Sequence, residues 1–490
     1  VTDHDPDTHD IVIVGAGFAG LGLALRLVED GRDPVVFERA ASVGGTWRDN
    51  VYPGVACDIP AHLYSFSFLP NPDWSRIYAE GHEIRAYLEA AAARLGGRIR
   101  LSTELLDARW DEARMRWQLE TSAGAASARV LVLACGRLAE PYIPAIPGLE
   151  SFPGAMFHSA RWDDGVDLAG QRVAVVGSGA SAVQLVPAMA RVAASVVQFQ
   201  RSAPYIRPRE DREYSRAERS LFARDAGEIA RERDRIFWDA EEGFAERAGL
   251  PDRMASARDR ALSHLAAQVA DQELRATLTP DYAIGCKRVL FSNDYYPAVA
   301  SEHVRVEPSP VARVHGSRVT GSSGSGADVD VIVFATGFLS AEQPYASLVH
   351  GRRGTLAEHW SGGMRAYAST AVAGFPNLFV LDGPNAGLGH NSAVHMIESQ
   401  IDFVRAALDS GRAGVLEVSA EAEEAWTRGI DARAAGTVWT TGGCESWYVD
   451  PRNGRLTLLW PGFAHEFRAE LEEAASVFDP VGPVTKGATP

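Results

Sequence analysis

The residues whose spacing carries most chemistry form two glycine hexads, Gly15-Ala16-Gly17-Phe18-Ala19-Gly20 and Gly177-Ser178-Gly179-Ala180-Ser181-Ala182. Glycines so placed let a backbone turn approach a pyrophosphate, and the N-terminus of a following helix stabilises its negative charge. Gly15, Gly17 and Gly20 form one candidate cradle; Gly177, Gly179 and Ser181 form the other. A residue beyond each hexad sets them apart. Glu38 lies 18 positions past Gly20, close to the spacing at which a carboxylate accepts hydrogen bonds from a ribose diol. Arg201, beside Ser202, lies 19 positions past Ala182. There a guanidinium attracts a 2′-phosphate that an acid would repel. The first cradle therefore suits FAD or NAD and the second suits NADP(H). A flavin enzyme reduced by a nicotinamide needs two such sites in one chain.

The elements that must position these residues are legible too. Each hexad follows an apolar strand run, Ile11–Val14 and Val173–Val176, and opens a segment with helical apolar spacing. Second strands are expected at Pro34–Phe37 and Ser195–Phe199. The run Val130–Ala134 stops at Cys135-Gly136, and Pro141, Pro144 and Pro147 mark a crossover. From about Ser215 to Ala276 the chain is rich in Ala, Arg, Glu and Asp and paced like helices. Strand signals return at Val304–Val306 and Val329–Phe334, with a hairpin tip at Gly321–Gly326 between them. Glycine turns follow strands at Ala335-Thr336-Gly337-Phe338 and at Leu378–Gly383.

The fold class is thus α/β, with two Rossmann-like dinucleotide-binding domains (FAD and NADP) and a helical insertion. The expected division is residues 1–145 for the first part of the FAD domain and 146–210 for the linker and first part of the NADP domain. Residues 211–280 form the insertion and 281–330 the second part of the NADP domain. The second part of the FAD domain and the C-terminal segment fill 331–490, ending in a disordered tail.

Composition narrows the function classes. A length of 490 residues needs more than one core, and 46% apolar with 23% charged residues suits a folded, soluble protein. A net charge of −16 argues against a general affinity for nucleic acid. The polar start shows no secretory pattern, and no apolar run nears 18 residues, so a cytoplasmic protein without a membrane span is expected. Cys57, Cys135, Cys286 and Cys444 are far apart and form no CxxC pair. Reduced thiols are expected, and neither a zinc ribbon, another metal site nor a redox dithiol is indicated.

Further motifs make a specific set. Gly44-Gly45-Thr46-Trp47 offers a glycine pair and a hydroxyl (Gly45, Thr46) for phosphate and ribose and a flat ring (Trp47) near a cofactor. Tyr52-Pro53-Gly54 leads to Asp58. Between the cradles, Phe152-Pro153-Gly154-Ala155-Met156-Phe157-His158-Ser159-Ala160-Arg161-Trp162-Asp163 resembles the F-x-G-x-x-x-H-x-x-x-W-[PD] fingerprint of type I Baeyer–Villiger monooxygenases, in the flavin-containing monooxygenase superfamily. Cys286-Lys287-Arg288, Ala335–Phe338, Gly383-Pro384-Asn385 to His390-Asn391-Ser392, and Ser446-Trp447-Tyr448 extend the resemblance over nearly the whole chain.

The resemblance implies an FAD enzyme, reduced by NADPH, that uses O2 to convert ketones to esters or lactones through a C4a-peroxyflavin. It implies that Arg288 steadies the peroxide anion and the later oxyanion, that Asp58 orients Arg288, and that Lys287 joins Arg201 on the 2′-phosphate. Thr336, Gly337 and Asn385 are expected near cofactor, and Trp447 beside the nicotinamide. Within the fingerprint, Phe152 and Gly154 mark the linker, His158 is expected as a hydrogen-bonding strut rather than a proton-transfer base, and Trp162 as hinge packing. Two alternatives stay open at this stage: oxidation of sulfur or nitrogen, which has less need of an anion-steadying arginine, and a flavin reductase or redox sensor. The particular ketone and the oligomeric state have no readable motif.

Overall fold

A computed structural model describes residues 7–410 and 414–478 of the chain. The disorder expected of the terminal tail concerns residues outside these. Among the described residues, the first sheet has eight strands. Asp7–Val14 runs parallel to Pro34–Phe37 on one side and to Gly124–Leu133 on the other. Ile11, Val12 and Ile13 are fully buried, because a parallel strand is covered on both faces and so reads as a continuous apolar run. Helix Phe18–Glu29 closes one face, with Leu21, Leu23 and Leu27 at 0% exposure. An antiparallel meander, Leu105–Asp111, Arg116–Thr121 and Gly124–Leu133, widens the sheet. Leu378–Val380 returns from late in the chain to pair with Gly124–Leu133.

The second sheet has, among the described residues, five strands, all parallel: Val304–Glu307, Ser195–Phe199, Arg172–Val176, Val331–Phe334 and Ala155–His158, in that order. This corrects two expectations. Val331–Phe334 belongs inside this sheet, so the second unit does not end at residue 330. The residues between the cradles are not purely a linker either, since Ala155–His158 is an edge strand. Both differences have one physical reason: a short apolar run announces a strand, but its partner is fixed by register, here Val333 opposite Val175 and Phe157.

The segment expected to be helical is so: Arg216–Arg224, Ala226–Glu241, Pro251–Gln268 and Gln272–Thr277. Its starts are set locally by a Ser215/Glu218 capping box, by the Asp225 and Asp271 caps and by Pro251 in the first turn. Glu241 anchors it. That buried carboxylate accepts from Asn391 Nδ2 (2.8 Å), pairs with His465 Nδ1 (2.6 Å) and His390 Nε2 (3.2 Å), and accepts from the Ala464 amide (3.1 Å). Burial opposes its ionisation, but these partners outweigh it and hold the carboxyl down at about 2.

Candidate active site

The two glycine turns have nearly the same geometry. Gly15 has φ +110° and Gly177 φ +125°, and a Cβ at either would lie 2.4 Å and 2.3 Å, respectively, from the carbonyl oxygens of Ala134 and Ala335. A Cβ at Gly20 would lie 1.9 Å from the Gly15 carbonyl oxygen, so that glycine lets helix and turn close together. The middle positions differ in kind: a Cβ at Gly17 meets nothing nearer than 3.6 Å, and one at Gly179 meets nothing within 4 Å. Gly17 and Gly179 are the N-caps of helices Phe18–Glu29 and Ala180–Ala190, and neither start has a side-chain cap. Open space beside uncapped N–H groups fits a pyrophosphate at each turn. Gly45 lies directly against the first, its Cβ position 3.1 Å from Gly17 Cα. Next to it Thr46 is exposed, and Trp47 is buried with its Nε1–H donating to Tyr64 Oη at 3.3 Å.

The strand ends beyond these turns diverge. Glu38 is buried at 5% exposure, and its carboxylate accepts from the Ala16 amide (2.9 Å), the Ala40 amide (2.9 Å) and Arg48 Nη1 (2.8 Å). It therefore clamps the first turn as well as ending its strand. The Arg201 side chain is 65% exposed and pairs with Glu445 at 3.4 Å. Beside it Lys287 Nζ donates to Ser202 Oγ at 2.7 Å, so the structure brings Arg201, Ser202 and Lys287 together across 85 residues. Burial lowers the Lys287 pKa, and Arg201 adds to that effect. Ser181 sits in the first turn of the second helix, near the Tyr52 hydroxyl, which also donates to Gln184 Oε1 at 2.8 Å.

Arg288 and Asp58, 230 residues apart, meet through Nε–H to Oδ2 at 2.7 Å. Their side chains keep 27% and 30% exposure because they form part of the wall of a cavity of about 1360 Å³, which Arg247, Gly389 and His390 also line. Burial opposes charge on both, but their mutual attraction prevails: Asp58 lies below the usual carboxylate range and Arg288 above the usual guanidinium value. The pair is ionised throughout the neutral range. The buried Tyr448 phenol lies in the field of Arg288 and Arg247. Trp447 beside it is 41% exposed, with ring centroids 4.5 Å apart.

The fingerprint residues are packing residues of the second sheet. Phe152 is buried, and a Cβ on Gly154 would come within 2.0 Å of the Asp330 carbonyl oxygen. His158 is 2% exposed; its Nδ1 accepts from the Ala160 amide at 3.1 Å, and its ring meets Phe338 edge-on. Burial pushes its pKa down to about 4, so the ring is neutral near pH 7. Trp162 packs edge-on against Phe157 at 5.0 Å. Thr336 Oγ1 donates to the Tyr142 carbonyl and Gly337 has φ +83°, which joins this turn to the crossover. Asn385 Nδ2 donates to the carbonyls of Leu456 (2.7 Å) and Leu459 (2.9 Å), holding the C-terminal segment.

One expectation is overturned. Cys286 and Cys444 form a disulfide, while Cys57 and Cys135 are free. Proximity across 158 residues has no signature in sequence spacing. Sequence reasoning also missed Arg247, which is 7% exposed in the cavity wall. It lies in an Arg- and Glu-rich stretch where an interior arginine looks like any surface one.

Comparison with known proteins adds a family to this geometry. Residues 13–80 match the NAD(P)-binding Rossmann-like domain, and residues 61–222 match the L-lysine 6-monooxygenase/L-ornithine 5-monooxygenase family. A Baeyer–Villiger monooxygenase of Streptomyces coelicolor is 46% identical over 94% of this chain and 90% of its own. One of Pseudomonas aeruginosa is 43% identical over 94% and 89%. Among solved structures, an oxidized steroid monooxygenase bound to NADP is 32% identical, with a TM-score of 0.84 over 96% of this chain and 98% of its own. With its paired glycine turns, its fingerprint strand and its Asp58–Arg288 pair, the chain belongs to the Baeyer–Villiger monooxygenases.

Proposed function

We propose that the chain holds FAD on the turn Gly15–Gly20 and NADPH on the turn Gly177–Ala182, and that it inserts one atom of O2 beside a ketone carbonyl to give an ester or lactone. Bound FAD supplies the redox chemistry, accepting a hydride and activating O2. The protein's part is positioning and charge. The uncapped helix starts at Gly17 and Gly179 receive the two pyrophosphates, and Arg201, Lys287 and Ser202 gather where a 2′-phosphate would lie. The observation that carries the reading is Arg288, held by Asp58 in a cavity wall. Asp58 fixes the fork through Nε, leaving a permanent positive charge facing the negative charge that develops on the ketone oxygen. Buried and neutral, His158 supports the second sheet and takes no part in proton transfer. A net charge of −16 agrees with a small-molecule substrate rather than nucleic acid, and the reading places the enzyme in the cytoplasm.

The test is aerobic turnover of a ketone panel with NADPH and isotopically labelled O2. One labelled oxygen in an ester or lactone product is expected. Oxidation of sulfides or amines alone, with no ester from any ketone, would refute it.

A further inference from the structure

We propose that the Cys286–Cys444 disulfide is a redox-modifiable clamp that holds the loop bearing Glu445 and Trp447 over the second dinucleotide site. Each cysteine directly precedes functional residues. Cys286 leads into Lys287, which donates to Ser202, and Arg288, which pairs with Asp58. Cys444 leads into Glu445, 3.4 Å from Arg201, and then into Trp447 and Tyr448. The S–S bond thus ties the anion-binding segment to the loop that covers it.

From Tyr448 onward the chain is anchored by that buried ring and by the Val449–Leu456 bridge, but few bonds hold the stretch before it toward the second turn. The Ala283 amide donates to the Gly442 carbonyl at 2.9 Å, and the Arg201–Glu445 pair is exposed on both sides, where an ion pair contributes little. Trp447 is 41% exposed and packs against the Tyr448 ring at 4.5 Å between centroids, so its packing is partial. Without the cross-link, residues 445–447 would have to be ordered each time a dinucleotide binds.

The two sulfurs differ in access. Cys286 is fully buried, whereas Cys444 is half-buried between exposed Gly443 and Glu445. A dithiol reductant would attack Cys444 Sγ; the S–S bond breaks and Cys286 leaves as a thiolate that takes a proton. The reductant's second thiol then attacks the mixed disulfide and releases Cys444, which takes the second proton. The reagent ends as a cyclic disulfide, and two electrons and two protons have passed to the cysteine pair.

The existence of the clamp is independent of the function proposed above, but its effect on NADP+ rests on that reading of Arg201 and Lys287. The test uses the holoenzyme prepared in air. Thiols counted after unfolding should number two, Cys57 and Cys135, and four after prior treatment with dithiothreitol. Calorimetric titration with NADP+ should give binding at least roughly tenfold weaker after reduction, since ordering even one of residues 445–447 on binding costs about that much. The Cys444→Ser holoenzyme should bind as weakly as the reduced protein, with or without dithiothreitol; if it does not fold, the wild-type comparison stands alone. Four thiols before reduction would show that no clamp exists. Equal NADP+ affinity before and after reduction would show that the clamp does not position the loop. No NADP+ binding even by oxidised enzyme with two thiols would overturn the assignment of the phosphate site, and with it this effect, while leaving the cross-link intact.

Discussion

The two glycine turns share φ values, open middle positions and uncapped helices, yet the strands beside them end in opposite ways. Glu38 is buried and clamped by three donors, two of them backbone amides: Ala16 in the glycine turn and Ala40 just past the strand. Arg201 stands in solvent beside a lysine and a loop tied back by the Cys286–Cys444 disulfide. A carboxylate built into the frame belongs to a cofactor that stays. An exposed cation at a strand end suits one that comes and goes. On the function proposed above, the same fold unit serves as a permanent seat and as an exchangeable one, and the difference lies in side-chain burial rather than in the backbone.

The largest expected effect breaks the first seat. Gly20→Val places a side chain where even a Cβ lies 1.9 Å from backbone, so flavin absorbance per purified protein should fall close to zero. The matching position of the second turn already carries the methyl of Ala182, and Ala182→Gly should leave flavin content unchanged and NADP+ affinity within about threefold. Equal damage from both changes would end the distinction between the seats.

Arg288→Ala tests the charge that both seats serve. Ester formation should drop by at least about a hundredfold, while anaerobic reduction of the flavin by NADPH survives, followed by stopped-flow absorbance. Near-normal ester formation would remove Arg288 from the chemistry.

At the second seat, Arg201→Glu should lower the preference for NADPH over NADH by roughly tenfold to a hundredfold, the range for losing one charge-assisted contact. Lys287→Ala should act in the same direction. The comparison is kcat/KM for both nucleotides, and unchanged ratios would contradict the phosphate site.

The smallest effect concerns acid stability. His158 in the second sheet and His62 beside Tyr214 and Phe222 are both pushed by burial down to about 4. Unfolded histidine titrates near 6.5, so the unfolded chain binds more protons between pH 6.5 and 4. The stability from each neutral ring is complete above about 6.5 and is lost as pH falls toward 4, reaching on the order of 2 kcal/mol per residue at pH 5. His158→Gln should flatten that acid limb in denaturant unfolding without removing a titrating group from the activity profile. A limb of unchanged slope would mean that His158 is not buried as a neutral ring.

Much of this was legible beforehand for a physical reason. Turn glycines, buried parallel strands and helix caps are local, so Gly15–Gly20, Ile11–Val14 and the Ser215 box announce themselves within a few residues. Lys287-Arg288 and Asp58 were readable through the family resemblance, and the structure supplied the 2.7 Å contact between them. Arg247, the Glu241 cluster and the disulfide were not readable, because each depends on which distant segment lies opposite.

The sequence by itself determined the two nucleotide units, the helical insertion and the family, since these follow from short-range spacing of glycine, apolar and capping residues. Only the tertiary structure decided that Val331–Phe334 completes the second sheet, that Asn385 straps the C-terminal segment, and that Cys286 reaches Cys444. Those are pairings between segments far apart in the chain, and they are selected by register, packing and burial, which no window of neighbouring residues contains.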